Sequence, residues 1–229
     1  MGTRIVGVDE AGRGPVLGPL VVAGVAVEDE GVLRDLGVKD SKKLTPAKRE
    51  ALAARIREVA SAVAVRVVHP AELDERMARI TLNALEVEEY AGVLRELSPP
   101  VGALPPGAFV CYVDACDTDA ARFGTQVGAL VGPHATLVSA HKADDKFPCV
   151  SAASIIAKTT RDALVAALSK EYGCNVGSGY SSDPYTVAFL KDHLARTGDL
   201  PACARKRWET CRKLLNPNRT LLEFGGRAR

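Results

Sequence analysis

Short apolar runs separated by turn residues and by stretches of helical period divide the chain into alternating strands and helices. Residues 4–8 and 20–27 are continuous apolar runs that read as buried strands, with 12–18 as the turn between them. The run Ala-Val-Ala-Val-Arg-Val-Val at 62–68 reads as a third strand. Between the last two, Thr45 and Pro46 open a helical pattern that runs through Ala60, with Thr45 as N-cap and Pro46 at the first helical position. Pro70 to Leu97 is helical by period, with a break near Ile80 to Asn83, and the Pro- and Gly-rich stretch from Pro99 to Gly107 reads as a loop.

The second half repeats a simpler alternation. Phe109 to Asp114 is a strand closing on a carboxylate, a helix follows near Ala120 to Leu130, and a strand at Ala135 to Ala140 runs into His141-Lys142-Ala143-Asp144-Asp145-Lys146. Val150 to Tyr172 is a long helix that begins with small residues, so it can approach a sheet closely. Pro184 to Arg196 and Arg207 to Leu215 read as closing helices. Three strands of an antiparallel meander followed by α, β, α, β, α predict an α/β fold, a mixed five-stranded sheet flanked by helices. If the first and fourth strands are parallel neighbours, Asp9 and Asp114 converge where the sheet changes sense, the usual place for a site in such sheets.

Composition adds bounds. With 229 residues, 47% hydrophobic and 25% charged, the chain can hold one sizeable core. No apolar run approaches the roughly 20 residues of a membrane span, and the amino terminus has no signal-peptide pattern, so a soluble cytoplasmic protein is expected. The net charge of +2 hides an asymmetry: residues 191–229 hold ten Lys and Arg against four Asp and Glu. Such a tail suits a polyanion, although a solvated helix face would look the same. Six cysteines (111, 116, 149, 174, 203, 211) show no zinc-ligand spacing; reduced thiols are the default, with a Cys149 to Cys174 disulfide left open.

The chemistry concentrates in carboxylates. Asp9 and Glu10 close the first strand and lead into Gly12-Arg13-Gly14, while Asp114 and one of Asp144 or Asp145 follow later strands. Like charges in a buried site raise a pKa or recruit cations, and an oxygen-only donor set suits Mg²⁺ or Mn²⁺. Two such ions can activate a water and stabilise the leaving oxygen in phosphodiester hydrolysis. The glycines around Arg13 leave backbone N–H groups open to a sugar or phosphate oxygen, and Tyr180, flanked by Gly177 and Gly179, reads as an exposed ring able to stack on a sugar or base. Lone strand-end acids are more often caps, the reading given to Asp117 and Asp119, and His134 and His141 read as structural.

Val8-Asp9-Glu10-Ala11-Gly12-Arg13-Gly14-Pro15, Asp40-Ser41-Lys42-Lys43-Leu44-Thr45, Tyr112-Val113-Asp114-Ala115-Cys116-Asp117, Ala140 to Lys158, Gly177-Ser178-Gly179-Tyr180 with Asp183-Pro184, and Trp208 recur in this order across nearly the whole chain. Together they resemble the successive motifs of the type 2 ribonucleases H, ribonuclease HII, in the archaeal and eukaryotic-like branch. The resemblance implies an RNase H-like catalytic domain over 1–190 and a small basic helical extension over 191–229. It implies metal-dependent endonucleolytic cutting of RNA in RNA–DNA hybrids and at ribonucleotides embedded in duplex DNA, leaving 3′-hydroxyl and 5′-phosphate ends. Asp9, Glu10, Asp114 and Asp144 would be the metal-binding carboxylates, Asp144 rather than Asp145 because the family's acid follows Lys-Ala. Gly12, Arg13 and Gly14 would contact the ribose 2′-hydroxyl, and Tyr180 would stack past the scissile phosphate. Lys42 and Lys146 would be phosphate ligands, joined by Ser154, Lys158 and Arg161, and Arg205 to Arg207 would grip the hybrid backbone. A monomer is expected, with Leu221-Leu222-Glu223-Phe224 as a weak version of a replication-clamp motif.

The chain departs from the pattern at two places. Ser181 follows Tyr180 where relatives carry proline, and Arg207-Trp208-Glu209-Thr210 replaces Ser-Trp-Lys-Thr. The competing readings are another two-metal phosphodiesterase on the same fold, or a non-catalytic nucleic-acid-binding subunit, which the loss of a carboxylate would signal.

Overall fold

Eight residues from Arg4 form a strand because Val6 and Val8 must be buried on one face while Gly7 lets a helix backbone lie against the other. The computed structural model describes residues 3–38, 44–98 and 107–216. Strands β1 (Arg4–Ala11), β2 (Leu20–Val27), β3 (Ala62–Val68), β4 (Phe109–Asp114) and β5 (Thr136–Ala140) form one sheet in the order β3-β2-β1-β4-β5. β1 pairs antiparallel with β2 and parallel with β4, and β4 pairs parallel with β5. The sheet is therefore mixed, and β1 and β4 are the parallel neighbours that bring Asp9 towards Asp114.

One expectation is corrected. β1 does not stop at Val8, because its ladder with β2 continues through Asp9↔Ala23, Glu10↔Val22 and Ala11↔Val21. The two acids lie within the strand, held extended by backbone pairing that is indifferent to side-chain charge.

The helices are α1 (Gly31–Asp35), α2 (Pro46–Val59), α3 (Pro70–Arg76), α4 (Leu82–Leu97), α5 (Ala120–Val131), α6 (Pro148–Glu171), α7 (Pro184–Thr197) and α8 (Glu209–Leu215), with a 3-10 turn at Ala143–Asp145. Thr45 caps α2 by accepting from the Lys48 amide at 3.4 Å. The break between α3 and α4 is set by Thr81, whose hydroxyl accepts from the Ala84 amide at 3.2 Å and restarts the helix. The short α1 is absent from the sequence reading, since five residues give no period to detect.

The chain packs as two compact units. Of the described residues, the first takes those within 3–11, 21–67 and 80–160, and the second those within 12–20, 68–79 and 161–216. In the first, Val6, Val8 and Val22 pack with Tyr90, Val93 and Leu94 of α4 and with Phe109, Val113 and Phe123. On the other face a Cβ on Gly7 would lie 2.1 Å from the Cys149 carbonyl carbon, so glycine there is what allows the start of α6 to rest on β1. In the second, Leu17, Val165, Val176, Phe189, Leu190 and Leu200 form the core, and residues 191–216 belong to this unit. All six cysteines are free thiols. Among the described residues no helix is long and apolar enough to cross a membrane.

Candidate active site

Alternation along β1 sends its two acids to opposite faces. Asp9 lies on the side of Gly7 and α6, where Ser154 hydrogen-bonds it and the Glu10 amide donates to its Oδ1 at 2.7 Å. Glu10 lies on the side of Val6 and Val8, where the hydroxyl of Tyr90, wholly buried on α4, donates to its Oε2. Asp114 ends β4, one position past the Val8↔Val113 pair, and accepts the Ala143 amide on Oδ1 at 2.6 Å. That amide is aimed by Lys142, which holds a left-handed φ of 53°. A non-glycine residue in that region carries strain of about 1 kcal/mol or more, here located where the chain turns to meet Asp114. Asp144 follows in the 3-10 turn and is buried, whereas Asp145 is exposed.

Electrostatics show that the group is mutually repelling. Burial, then Glu10, then Asp114 push the Asp9 carboxyl well above its ordinary value, while Ser154 and the Glu10 amide act in the other direction. Among the described residues, the forces acting on Asp9 thus include two further acids. Burial and the neighbouring Glu10 also push the Tyr90 phenol well up, so it stays protonated and serves as donor. Carboxylate oxygens of this kind fit a hard divalent cation, whose charge would relieve the repulsion. Among the described residues no three His, Cys, Asp or Glu side chains already stand as a closed metal cage. The acids are instead held by separate donors, Tyr90, Ser154 and the Ala143 amide.

Beside Asp144 opens a cavity of about 320 Å³ lined by Arg34, Asp145, Lys146 and Ser151 among others. Lys146 is exposed there and its Nζ donates to the His141 carbonyl at 3.2 Å. Lys158 is half-buried one turn beyond Ser154 on α6. Lys42 lies outside the described residues, as do most of the Pro99 to Gly107 loop and the Leu221 to Phe224 run.

The glycine turn and the tyrosine loop are built together in the second unit. Gly12 adopts a φ of 92°, and a Cβ on it would lie 2.6 Å from the Pro19 carbonyl oxygen, so no other residue fits. Gly14 is exposed and faces the Tyr180 ring, 3.8 Å from where its Cβ would be. The Val16 and Leu17 amides both donate to the Gly179 carbonyl, at 2.8 and 3.1 Å, tying the turn to the loop. The loop itself is fixed by Thr186, whose hydroxyl accepts from the Gly179 amide at 3.0 Å and donates to the Val176 carbonyl at 2.9 Å. Tyr180 is 42% exposed, with the Arg161 guanidinium 5.4 Å from its ring centre. Arg161 is buried and donates to the Ser178 carbonyl at 2.7 Å, so its place is behind the tyrosine loop.

A profile of the family described as ribonuclease HII matches residues 6–211. The chain belongs to the ribonuclease HII family. Its enzyme class, a hydrolytic nuclease of the ribonuclease H type, follows, and its mixed sheet with flanking helices is the RNase H-like fold. The ribonuclease HII of Methanocella arvoryzae is 44% identical over 91% of this chain and 90% of its own. The crystal structure of ribonuclease H2 from Pyrococcus horikoshii superposes with a TM-score of 0.83 at 42% identity, covering 94% of this chain and 99% of that one. A structure of the PCNA:RNase HII complex from Archaeoglobus fulgidus gives a TM-score of 0.80 at 44% identity over 92% and 96% of the two chains.

In this ribonuclease HII, sequence reasoning missed Tyr90 and misassigned Arg205. Tyr90 fell within the stretch read only as helical and was not singled out; the available signal was that a buried tyrosine hydroxyl needs a partner. Arg205 read as a cation gripping nucleic acid, and the structure corrects this. It is wholly buried and donates to the Gly18, Arg13 and Gly12 carbonyls, because those inward-facing oxygens need donors that only a long cationic side chain can bring. Its neighbours Lys206 and Arg207 remain exposed, with Lys206 Nζ on Asp199 at 2.7 Å and Arg207 Nε on the Asp74 carbonyl at 2.8 Å.

Proposed function

We propose that this ribonuclease hydrolyses the RNA strand of RNA–DNA hybrids and cuts at ribonucleotides embedded in duplex DNA, leaving 3′-hydroxyl and 5′-phosphate ends. The observation that carries the reading is the buried Asp9 carboxyl repelled by Glu10 and Asp114 at adjacent parallel strands. Asp9, Glu10, Asp114 and Asp144 would hold two Mg²⁺ or Mn²⁺ ions. Bound there, such ions supply an activated water and stabilise the charge on the leaving oxygen. In the displacement, a water oxygen bonds to phosphorus as the bond from phosphorus to the 3′-oxygen breaks, and that oxygen leaves and takes up a proton.

The chain's own residues do the orienting. Tyr90 and the Ala143 amide restrict Glu10 and Asp114 to one geometry each, and Ser154 does the same for Asp9. In this reading the turn at Gly12, Arg13 and Gly14 accepts the 2′-hydroxyl, the group that separates RNA from DNA. Tyr180 stacks on the sugar beyond the cut, and Lys42, Lys146 and Lys158 attract phosphates. Arg161 serves the Tyr180 loop from behind. The protein acts as a cytoplasmic monomer, its catalytic region over 1–190 and the basic extension over 191–229 adding backbone affinity. A replication clamp, the kind of partner seen with the Archaeoglobus relative, would bind weakly through Leu221 to Phe224.

The test is metal-dependent cutting of a DNA duplex carrying one ribonucleotide, beside an RNA–DNA hybrid and an all-DNA control. Cutting confined to the ribonucleotide-containing strands, with Mg²⁺ or Mn²⁺, and lost in Asp114→Asn is expected. Cutting of the all-DNA duplex, or full activity in Asp114→Asn, would overturn the proposal.

A further inference from the structure

We infer that Arg205 is a positioning residue for ribose recognition, shaping the Gly12-Arg13-Gly14 turn through its backbone without touching nucleic acid. The inference rests on the reading of that turn given above. Arg205 is 0% exposed, and its three guanidinium nitrogens each take a different carbonyl: Nε on Gly18 at 2.8 Å, Nη1 on Arg13 at 3.1 Å and Nη2 on Gly12 at 2.6 Å. Its amide donates to the Val16 carbonyl at 2.9 Å, so backbone and side chain hold the same segment. The Trp208 ring lies 4.8 Å from the guanidinium carbon and covers the assembly.

Peptide geometry explains what this hold achieves. In a trans peptide the carbonyl and the following N–H point in opposite directions, and no cis peptide bond occurs among the described residues. Drawing the Gly12 and Arg13 carbonyls onto a buried guanidinium therefore turns the Arg13 and Gly14 amides away from it, on the side where Gly14 is exposed. Those are the donors that a ribose hydroxyl oxygen would meet. The planar fork suits this task, since a lysine ammonium is a point donor that cannot span three carbonyls spread over seven residues. Burial and the nearby Arg161 charge both work against the Arg205 cation, so a charge is kept here against desolvation. The three carbonyls, the Trp208 face and the Asp74 charge offset it.

The experiment measures binding with Mg²⁺ in an Asp114→Asn background that does not cut, using a duplex with one ribonucleotide and the same duplex in all-DNA form. Arg205→Lys is expected to lower the preference for the ribonucleotide duplex about tenfold, with affinity for the all-DNA duplex held within about twofold. Amide hydrogen exchange over residues 12–18 should quicken while β4 is unchanged, and Lys170→Ala, at an exposed lysine of α6, should alter neither. Equal loss on both duplexes, or an unchanged preference in folded Arg205→Lys, overturns the inference alone. No preference in the parent protein overturns the ribose reading of the turn as well. If Arg205→Lys does not fold, Trp208→Leu, which removes only the covering ring, carries the same readouts, and an unchanged preference there is equally decisive.

Discussion

Tyr90 donates its buried hydroxyl to Glu10 on the face of β1 opposite Asp9. Two adjacent acids on a strand are thereby held by different helices, Glu10 by α4 and Asp9 by Ser154 of α6. The site thus depends on both layers that pack against the sheet.

Replacing Tyr90 by Phe keeps the packing against Phe123, 5.1 Å away ring to ring, and removes only the donor. A hydrogen bond to a charged group is worth about 1.5–3 kcal/mol, so Glu10 should lose its fixed orientation. The expected outcome is a fall in kcat of about tenfold or more, with higher Mg²⁺ needed for half-maximal activity. A metal titration of cleavage, with far-UV circular dichroism to confirm folding, checks it.

Asp9 gives a prediction about stability whose sign follows from linkage. Its carboxyl is raised in the folded protein, so folding favours the protonated form. Its stabilising effect is complete below the unfolded pKa and is lost as pH rises through the folded one. As pH rises past the unfolded pKa the carboxyl therefore becomes a net burden on folding, and at neutral pH Asp9→Asn should be more stable than the parent when metal is chelated. Below the unfolded pKa, where the parent's Asp9 is uncharged in both states, the difference should vanish. Added Mn²⁺ should raise the parent's melting temperature more than the variant's, and cleavage by Asp9→Asn should be abolished. Thermal unfolding at neutral and acid pH, with chelator and with Mn²⁺, measures all of these.

Gly7 sets how closely α6 approaches β1. A methyl group there would meet the Cys149 and Val150 backbone at 2.1 and 2.3 Å, atoms that cannot rotate away. Gly7→Ala should cost about 3 kcal/mol or more and, by lifting α6, should separate Ser154 from Asp9. Denaturant unfolding and activity measured together should both fall; a folded variant with full activity would show that the close approach is dispensable.

Much of this was legible in the chain because period and punctuation agree. Continuous apolar runs marked β1, β2 and β4, Thr45 marked a helix start and the stretch from Ile80 to Asn83 a helix break, and the motif resemblance pointed to the four acids as candidates. What was not legible is what side chains do across sequence distance. The extension of β1 to Ala11 depends on pairing with β2, which no local pattern encodes. Tyr90 is 80 residues from Glu10, and Arg205 is 193 residues from Gly12; each looks ordinary among its neighbours, and only the packed chain supplies its partner.

The Tyr180 ring and the Arg161 guanidinium behind it give the last prediction. Arg161 donates to the Ser178 carbonyl and faces the ring at 5.4 Å, and Nε of Arg161 is buried with no hydrogen-bond partner among the described residues. The ring is the part that would reach nucleic acid, so Tyr180→Phe should retain most activity. Tyr180→Ala should lose a stacking contact of about 1–3 kcal/mol, seen mainly as a higher KM on the single-ribonucleotide duplex. Arg161→Lys should resemble Tyr180→Ala in direction, because the loop that presents the ring loses its anchor, yet combining the two should add little to either alone. Steady-state kinetics of the two single variants and the double variant check this: additive losses would mean that Arg161 acts on the substrate by itself.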